Sequence, residues 1–193
     1  MAQNSQEVSD AIKQVVQALM DRVMENVLFN DPFIAEEHKA KKPLYAALVP
    51  DEIFKGSHFE RRFVTPFGGV WEKLAQVACK TGLGFCELQK TINGNVPQER
   101  LVRIAEVLNK LEHTAKGEKK IKPDWDNELK YILEGKGELI PTIVISDVYA
   151  ENVQTGEKYA FELKAPLPNS DQSKVSKEKM LKLYAMQPSP ITA

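Results

Sequence analysis

Apolar residues recur at Val8, Ile12, Val15, Leu19, Val23 and Val27, steps of three and four that set them on one face of a helix. Asn30-Asp31-Pro32 ends that helix and reads as the cap and first position of a second, short one. Pro43, Pro50 and Pro66 divide the next segment into short pieces, since each removes an amide donor and crowds the preceding turn. A further helix is expected from Gly68-Gly69, with Val70, Trp71, Leu74, Ala75 and Ala78 apolar, ending before Gly82 and Gly84. Asn93-Gly94-Asn95 reads as a loop. Pro97 then opens an amphipathic helix carried by Leu101, Ile104, Ala105, Leu108 and Leu111. The polar run from Lys116 to Lys122 reads as a solvated loop, and Asp124 caps a short helix with Trp125, Leu129, Ile132 and Leu133 that stops at Gly135.

The period changes from Thr142 to Tyr149, where β-branched residues dominate and no helical spacing survives. Thr155-Gly156-Glu157 is a turn signal, and Lys158 to Lys164 alternates as a strand does, so the two runs predict a hairpin. After Ala165-Pro166-Leu167-Pro168-Asn169 a last helix begins near Asp171 or Ser173 and runs towards Met186. No internal repeat or low-complexity block is present.

Composition narrows the possibilities. With 193 residues, 42% of them hydrophobic, one substantial core can be buried, and a single globular domain is expected. The formal net charge of -1 lacks the global basicity of many nucleic-acid binders, so any such surface must be a local patch. Cys79 and Cys86 are the only cysteines, and His38, His58 and His113 are scattered without ligand spacing, which argues against structural zinc and a disulfide scaffold. A polar N-terminus and the lack of any apolar run of transmembrane length predict a cytoplasmic chain that does not enter membranes.

Candidate chemistry sits on the hairpin. Residues i and i+2 of a strand share a face, so Glu162 and Lys164 point together while Phe161 and Leu163 point the other way. On the paired strand Asp147 interrupts Ile143, Ile145 and Tyr149, where a carboxylate is unfavourable without compensation. A divalent cation between Asp147 and Glu162 would supply it, and magnesium suits a site of few carboxylates plus water. Glu-x-Lys alone means little, because it recurs at Glu37-His38-Lys39, Glu118-Lys119-Lys120, Glu128-Leu129-Lys130 and Glu134-Gly135-Lys136. Strand context, the apolar strand bearing Asp147 and the turn between them distinguish Glu162-Leu163-Lys164. The alternative is a surface hairpin whose charged face is simply hydrated.

The run from Tyr159 to Gln172 resembles the motif strand and following loop of type II restriction endonucleases of the PD-(D/E)xK superfamily, and in particular the TdeIII-like group. The likeness is strongest over Thr142 to Lys182 and weaker over Phe63 to Ala78. It implies an α+β fold: a restriction-endonuclease-like core, a small mixed sheet flanked by helices, over residues 67–193, with a helical N-terminal part over 1–66. The helix at Gly68 to Cys79 is expected on one side of the sheet and that at Ser173 to Met186 on the other. It implies hydrolysis of double-stranded DNA with Mg2+ held by Asp147 and Glu162, Lys164 orienting the attacking water and stabilising developing charge, and a 5′-phosphate product. Glu72, in Phe67-Gly68-Gly69-Val70-Trp71-Glu72, corresponds to an additional acidic residue that the superfamily often places near the metal. Asn169, Asp171 and Gln172 are expected to shape the site or touch DNA, although loop-to-helix junctions also favour such residues.

Ser146 stands where the superfamily usually has a proline, and the common core continues through another strand after the second core helix, whereas this sequence stops at Ala193. A partner segment would complete that core, or the chain is a truncated or split version. Lys174, Lys177, Lys179 and Lys182, with Lys116, Lys119, Lys120 and Lys122, are candidates for phosphate contacts. A homodimer is expected because two-fold symmetry lets one enzyme cut both strands of a symmetric site, and the TdeIII-like resemblance suggests an interrupted GG/CC target. The rivals are a repair or recombination nuclease of the same fold and a non-catalytic DNA- or protein-binding module derived from it.

Overall fold

A computed structural model describes residues 2–113, 121–164 and 168–192. Its backbone gathers into two compact units, Met1–Thr81 and Gly82–Ala193.

The first unit is helical. Helix α1 (Ala2–Glu25) closes in a π-helical turn at Asn26–Asn30, and α2 (Ala35–Lys41), α3 (Pro43–Leu48) and α4 (Asp51–Leu83) follow. The spacing that predicted α1 buries Leu19 and Val23 against Val70 of α4, with Val15, Val27, Phe63, Phe67 and Leu74 around them. Helix α2 starts three residues beyond Pro32 rather than at it. The larger correction concerns α4, which runs unbroken for 33 residues through Pro66 and Gly68-Gly69. A proline removes one intrahelical bond, but here Phe59, Phe63, Phe67 and Trp71 line up at four-residue intervals, their rings 5.0–6.1 Å apart, and hold the turns on either side in register. No described helix is long and apolar enough to cross a membrane.

The second unit carries the described sheet, three antiparallel strands in the order β1 (Gly84–Pro97), β2 (Leu139–Asn152) and β3 (Lys158–Phe161). The α+β expectation holds, although the described strands pair antiparallel throughout rather than as a mixed sheet. Helices α5 (Gln98–Glu112), α6 (Trp125–Leu133) and α7 (Ser170–Ala185) match the predicted ones closely. Pro97 occupies the N-cap of α5, and the Asp124 side chain accepts the Asn127 amide at the start of α6. The hairpin also forms as expected, with Gly156 at φ +74° in its turn, a conformation that favours glycine.

Two sequence expectations fail in this unit. Asn93-Gly94-Asn95 lies inside β1 and pairs with Ile143, Thr142 and Pro141 of β2. The strand takes a glycine there because Met186 packs on it: a Cβ at Gly94 would lie 2.5 Å from the Met186 sulfur. Pairing of β3 also stops at Phe161, before Glu162-Leu163-Lys164.

The core unites Ile92 and Val96 of β1, Val144 and Tyr149 of β2, Ile104 and Leu108 of α5, Ile132 of α6 and Leu181 and Leu183 of α7. Beyond α7 the chain turns back onto the sheet. The Gln187 amide donates to Asn95 O at 2.8 Å, and the Thr192 amide donates to Lys158 O at 2.7 Å.

Candidate active site

The β2–β3 register places the candidate residues. Its last pair is Val148 with Phe161, so one further step sets Asp147 opposite Glu162. The backbone leaves the ladder at that step, and the Leu163 amide donates to Asp147 Oδ2 at 2.9 Å. The carboxylate thus fills a bonding position that a strand carbonyl would otherwise supply. Ser146 is fully buried, and its hydroxyl donates to Val148 O at 2.9 Å while lying 3.4 Å from Phe161 O. It ties β2 to the residue before Glu162.

Four charges converge beside this junction. Lys164 Nζ lies 3.7 Å from Asp147 Oδ2 and 3.7 Å from Glu162 Oε2. Lys179 reaches in from α7, its Nζ 2.9 and 3.1 Å from the two Glu162 oxygens and 3.6 Å from Asp147 Oδ1. The side chains are 3% exposed at Glu162 and 13% at Asp147, against 30% at Lys164 and 28% at Lys179. Two adjacent, largely desolvated carboxylates repel each other, and the two ammonium groups balance them.

Asp147, Glu162 and Lys164 therefore come together as the sequence predicts, although Glu162 and Lys164 lie just past the strand rather than on it. Lys179 was expected only at a DNA surface. Nothing in its spacing from Lys174, Lys177 and Lys182 separates it from its neighbours; only the packing of α7 brings it to the carboxylates. The other described lysines of this helix have partners elsewhere: Lys174 pairs with Glu112, Lys177 with Glu128 and Lys182 with Glu178. Asn169 and Gln172 form a reciprocal capping box at the start of α7, each accepting the other's backbone amide, while Asp171 is exposed in the first turn. Glu72 is half-buried on α4 in the first unit, and Lys122 is exposed. Lys116, Lys119 and Lys120 lie outside the described residues.

Among the described residues no group of three or more His, Cys, Asp or Glu side chains is placed to hold a metal ion. The donor set at this junction is two carboxylates, hard oxygen ligands that suit magnesium, an ion that binds through one or two carboxylates and keeps several waters. The residues present fit such an ion.

The model of the family described as "Type II restriction endonuclease, HinfI" matches residues 8–190. The chain belongs to the HinfI family of type II restriction endonucleases. No curated protein and no solved structure matches the chain. The family match covers both compact units, far more than the Thr142 to Lys182 stretch that carried the sequence resemblance, and it bears the HinfI name rather than that of the TdeIII-like group. HinfI-family enzymes are site-specific deoxyribonucleases, so DNA is the substrate that membership implies. Such enzymes typically use a divalent metal.

Proposed function

We propose that this chain is a magnesium-dependent type II restriction endonuclease of the PD-(D/E)xK kind, hydrolysing phosphodiester bonds of double-stranded DNA at a short specific site. The observation that carries the reading is the convergence of Asp147, Glu162 and Lys164 at the open end of the β2–β3 ladder, in a chain of a DNA-cleaving family.

In this reading Asp147 and Glu162 hold the magnesium ion. When bound, the ion neutralises charge on the phosphate and makes water a better nucleophile near neutral pH. Lys164 orients the attacking water and stabilises charge developing on the phosphoryl oxygens. Water loses a proton to solvent and its oxygen bonds to phosphorus as the P–O3′ bond breaks, the 3′ oxygen taking up a proton, which leaves a 5′-phosphate and a 3′-hydroxyl. The Leu163 amide holds the Asp147 carboxylate, and the Ser146 hydroxyl, bonded to Val148 O, fixes the strand that carries it.

Glu72 of α4 is proposed, on the superfamily resemblance alone, as an additional acidic residue for the reaction, and residues 1–193 as one nuclease domain. Lys174 and Lys177 are proposed phosphate contacts; to act so, each exchanges its glutamate partner for DNA. Asn169 and Gln172 act at the same surface through the start of α7 that they fix. A homodimer would present two copies of the site to the two strands of a symmetric target, inside the cell as befits a restriction enzyme. The likeness to TdeIII-like enzymes nominates an interrupted GG/CC sequence as the target.

The test is incubation of the purified chain with a long linear DNA and Mg2+, followed by sequencing of the fragment ends. Discrete fragments with one shared end sequence and ligatable 5′-phosphates, lost on chelation, are expected. A smear, or cleavage that ignores chelator, would overturn the reading.

A further inference from the structure

The two lysines at the site are not equivalent. Lys164 stands 3.7 Å from one oxygen of each carboxylate. Lys179 binds both oxygens of Glu162, at 2.9 and 3.1 Å, and turns towards Asp147 Oδ1 at 3.6 Å. The Glu162 side chain is only 3% exposed, so an ammonium on both of its oxygens leaves little of it for another cation. The four groups sum to zero charge. A divalent ion added to a neutral quartet meets two ammonium groups at contact range, and the repulsion falls when one withdraws. Lys179 is the one that must do so, because it occupies both Glu162 oxygens at bonding distance while Lys164 stands 3.7 Å from one oxygen of each carboxylate.

We infer that Lys179 is a resident counter-ion that competes with the divalent cation for the Asp147–Glu162 pair and so sets the metal affinity of the site. The inference rests on the reading of those carboxylates as the metal ligands. It differs from a phosphate-contact role, because it assigns the ammonium to the carboxylates before DNA is involved. Metal binding then frees Lys179, and the freed ammonium seeks another anion.

Mn2+ serves as the probe, since it favours oxygen ligands and its free form is counted directly by electron paramagnetic resonance. Titrations compare the parent chain with Lys179→Gln, Lys179→Arg and Glu162→Gln, without DNA and without an activity readout. Lys179→Gln is expected to bind Mn2+ at least about tenfold more tightly than the parent, as loss of a contacting like charge requires. Lys179→Arg keeps the charge and should stay near the parent, and Glu162→Gln should lose the site.

Lysine acylation of the parent chain, read by peptide mass spectrometry, provides a measurement that needs no variant to fold. Labelling of Lys179 should rise when Mn2+ is added. If Lys179→Gln binds no more tightly than the parent while Glu162→Gln loses binding, the counter-ion role fails and the metal centre stands. If Glu162→Gln binds as the parent does, both fail. Should Lys179→Gln not fold, unchanged Lys179 labelling in Mn2+-saturated parent overturns the inference.

Discussion

Helix α7 ends two of its lysines on glutamates in contrasting surroundings. Lys177 meets Glu128 of α6 one-to-one, with side-chain exposures of 17% and 13%. That contact joins α6 to α7, and the charges cancel where they meet. Lys179 meets Glu162 beside a second carboxylate, Asp147, and a second lysine, Lys164. A one-to-one pair is sufficient to fasten two helices. Two largely desolvated carboxylates side by side are not needed for fastening and oppose it, so their presence points to chemistry.

Substitutions separate these two roles. Glu162→Gln should lower the rate of DNA cleavage by about a thousandfold or more, since on the proposed reading it removes a charged ligand of the metal. Its thermal midpoint should fall only slightly, because loss of the charge relieves repulsion with Asp147 while Lys179, 28% exposed, keeps Asp147 at 3.6 Å; a large fall in midpoint would make Glu162 a structural residue. Glu128→Gln should do the converse. It strands the Lys177 charge in a partly buried position and should cost about 2 kcal/mol in denaturant titration, less than a fully buried pair would. Cleavage by the folded variant should match the parent.

Smaller effects sharpen the same contrast. Ser146→Ala leaves the Val148 carbonyl short of one hydrogen bond and should cost about 1 kcal/mol. If the serine positions the carboxylates, the cleavage rate should fall as well while substrate affinity holds. Asn169→Ala removes half of the capping box and should cost about 1 kcal/mol or less. DNA affinity measured alongside decides whether Asn169 also touches the substrate: a weakened dissociation constant at unchanged folding would assign it there.

Much of the second unit can be read from local spacing. The 3.6-residue period marks α5, α6 and α7, Asp124 and Asn169 mark two helix starts, and Thr155-Gly156-Glu157 marks the hairpin turn that brings Asp147 and Glu162 together. What local spacing misses depends on contacts distant in the chain. Strand β1 is hidden because its polar Asn93-Gly94-Asn95 looks like a loop until Met186 is laid on Gly94. Helix α4 is the exception, because the aromatic ladder that spans Pro66 repeats every four residues and is itself a local signal that competes with the proline. Strand β3 ends early because the Asp147 carboxylate takes the Leu163 amide. Lys179 is one lysine of four along α7, and only the seating of that helix singles it out.

The most direct test of the active-site assignment compares the parent chain with Lys164→Ala in single-turnover cleavage of one plasmid in Mg2+, with Glu128→Gln as the control for stability. Lys164 is 30% exposed and lies at the rim of the site, so its truncation should leave the fold intact. Discrete fragments from the parent and Glu128→Gln, with none from Lys164→Ala, are the predicted result. Cleavage by Lys164→Ala at the parental rate would contradict the account.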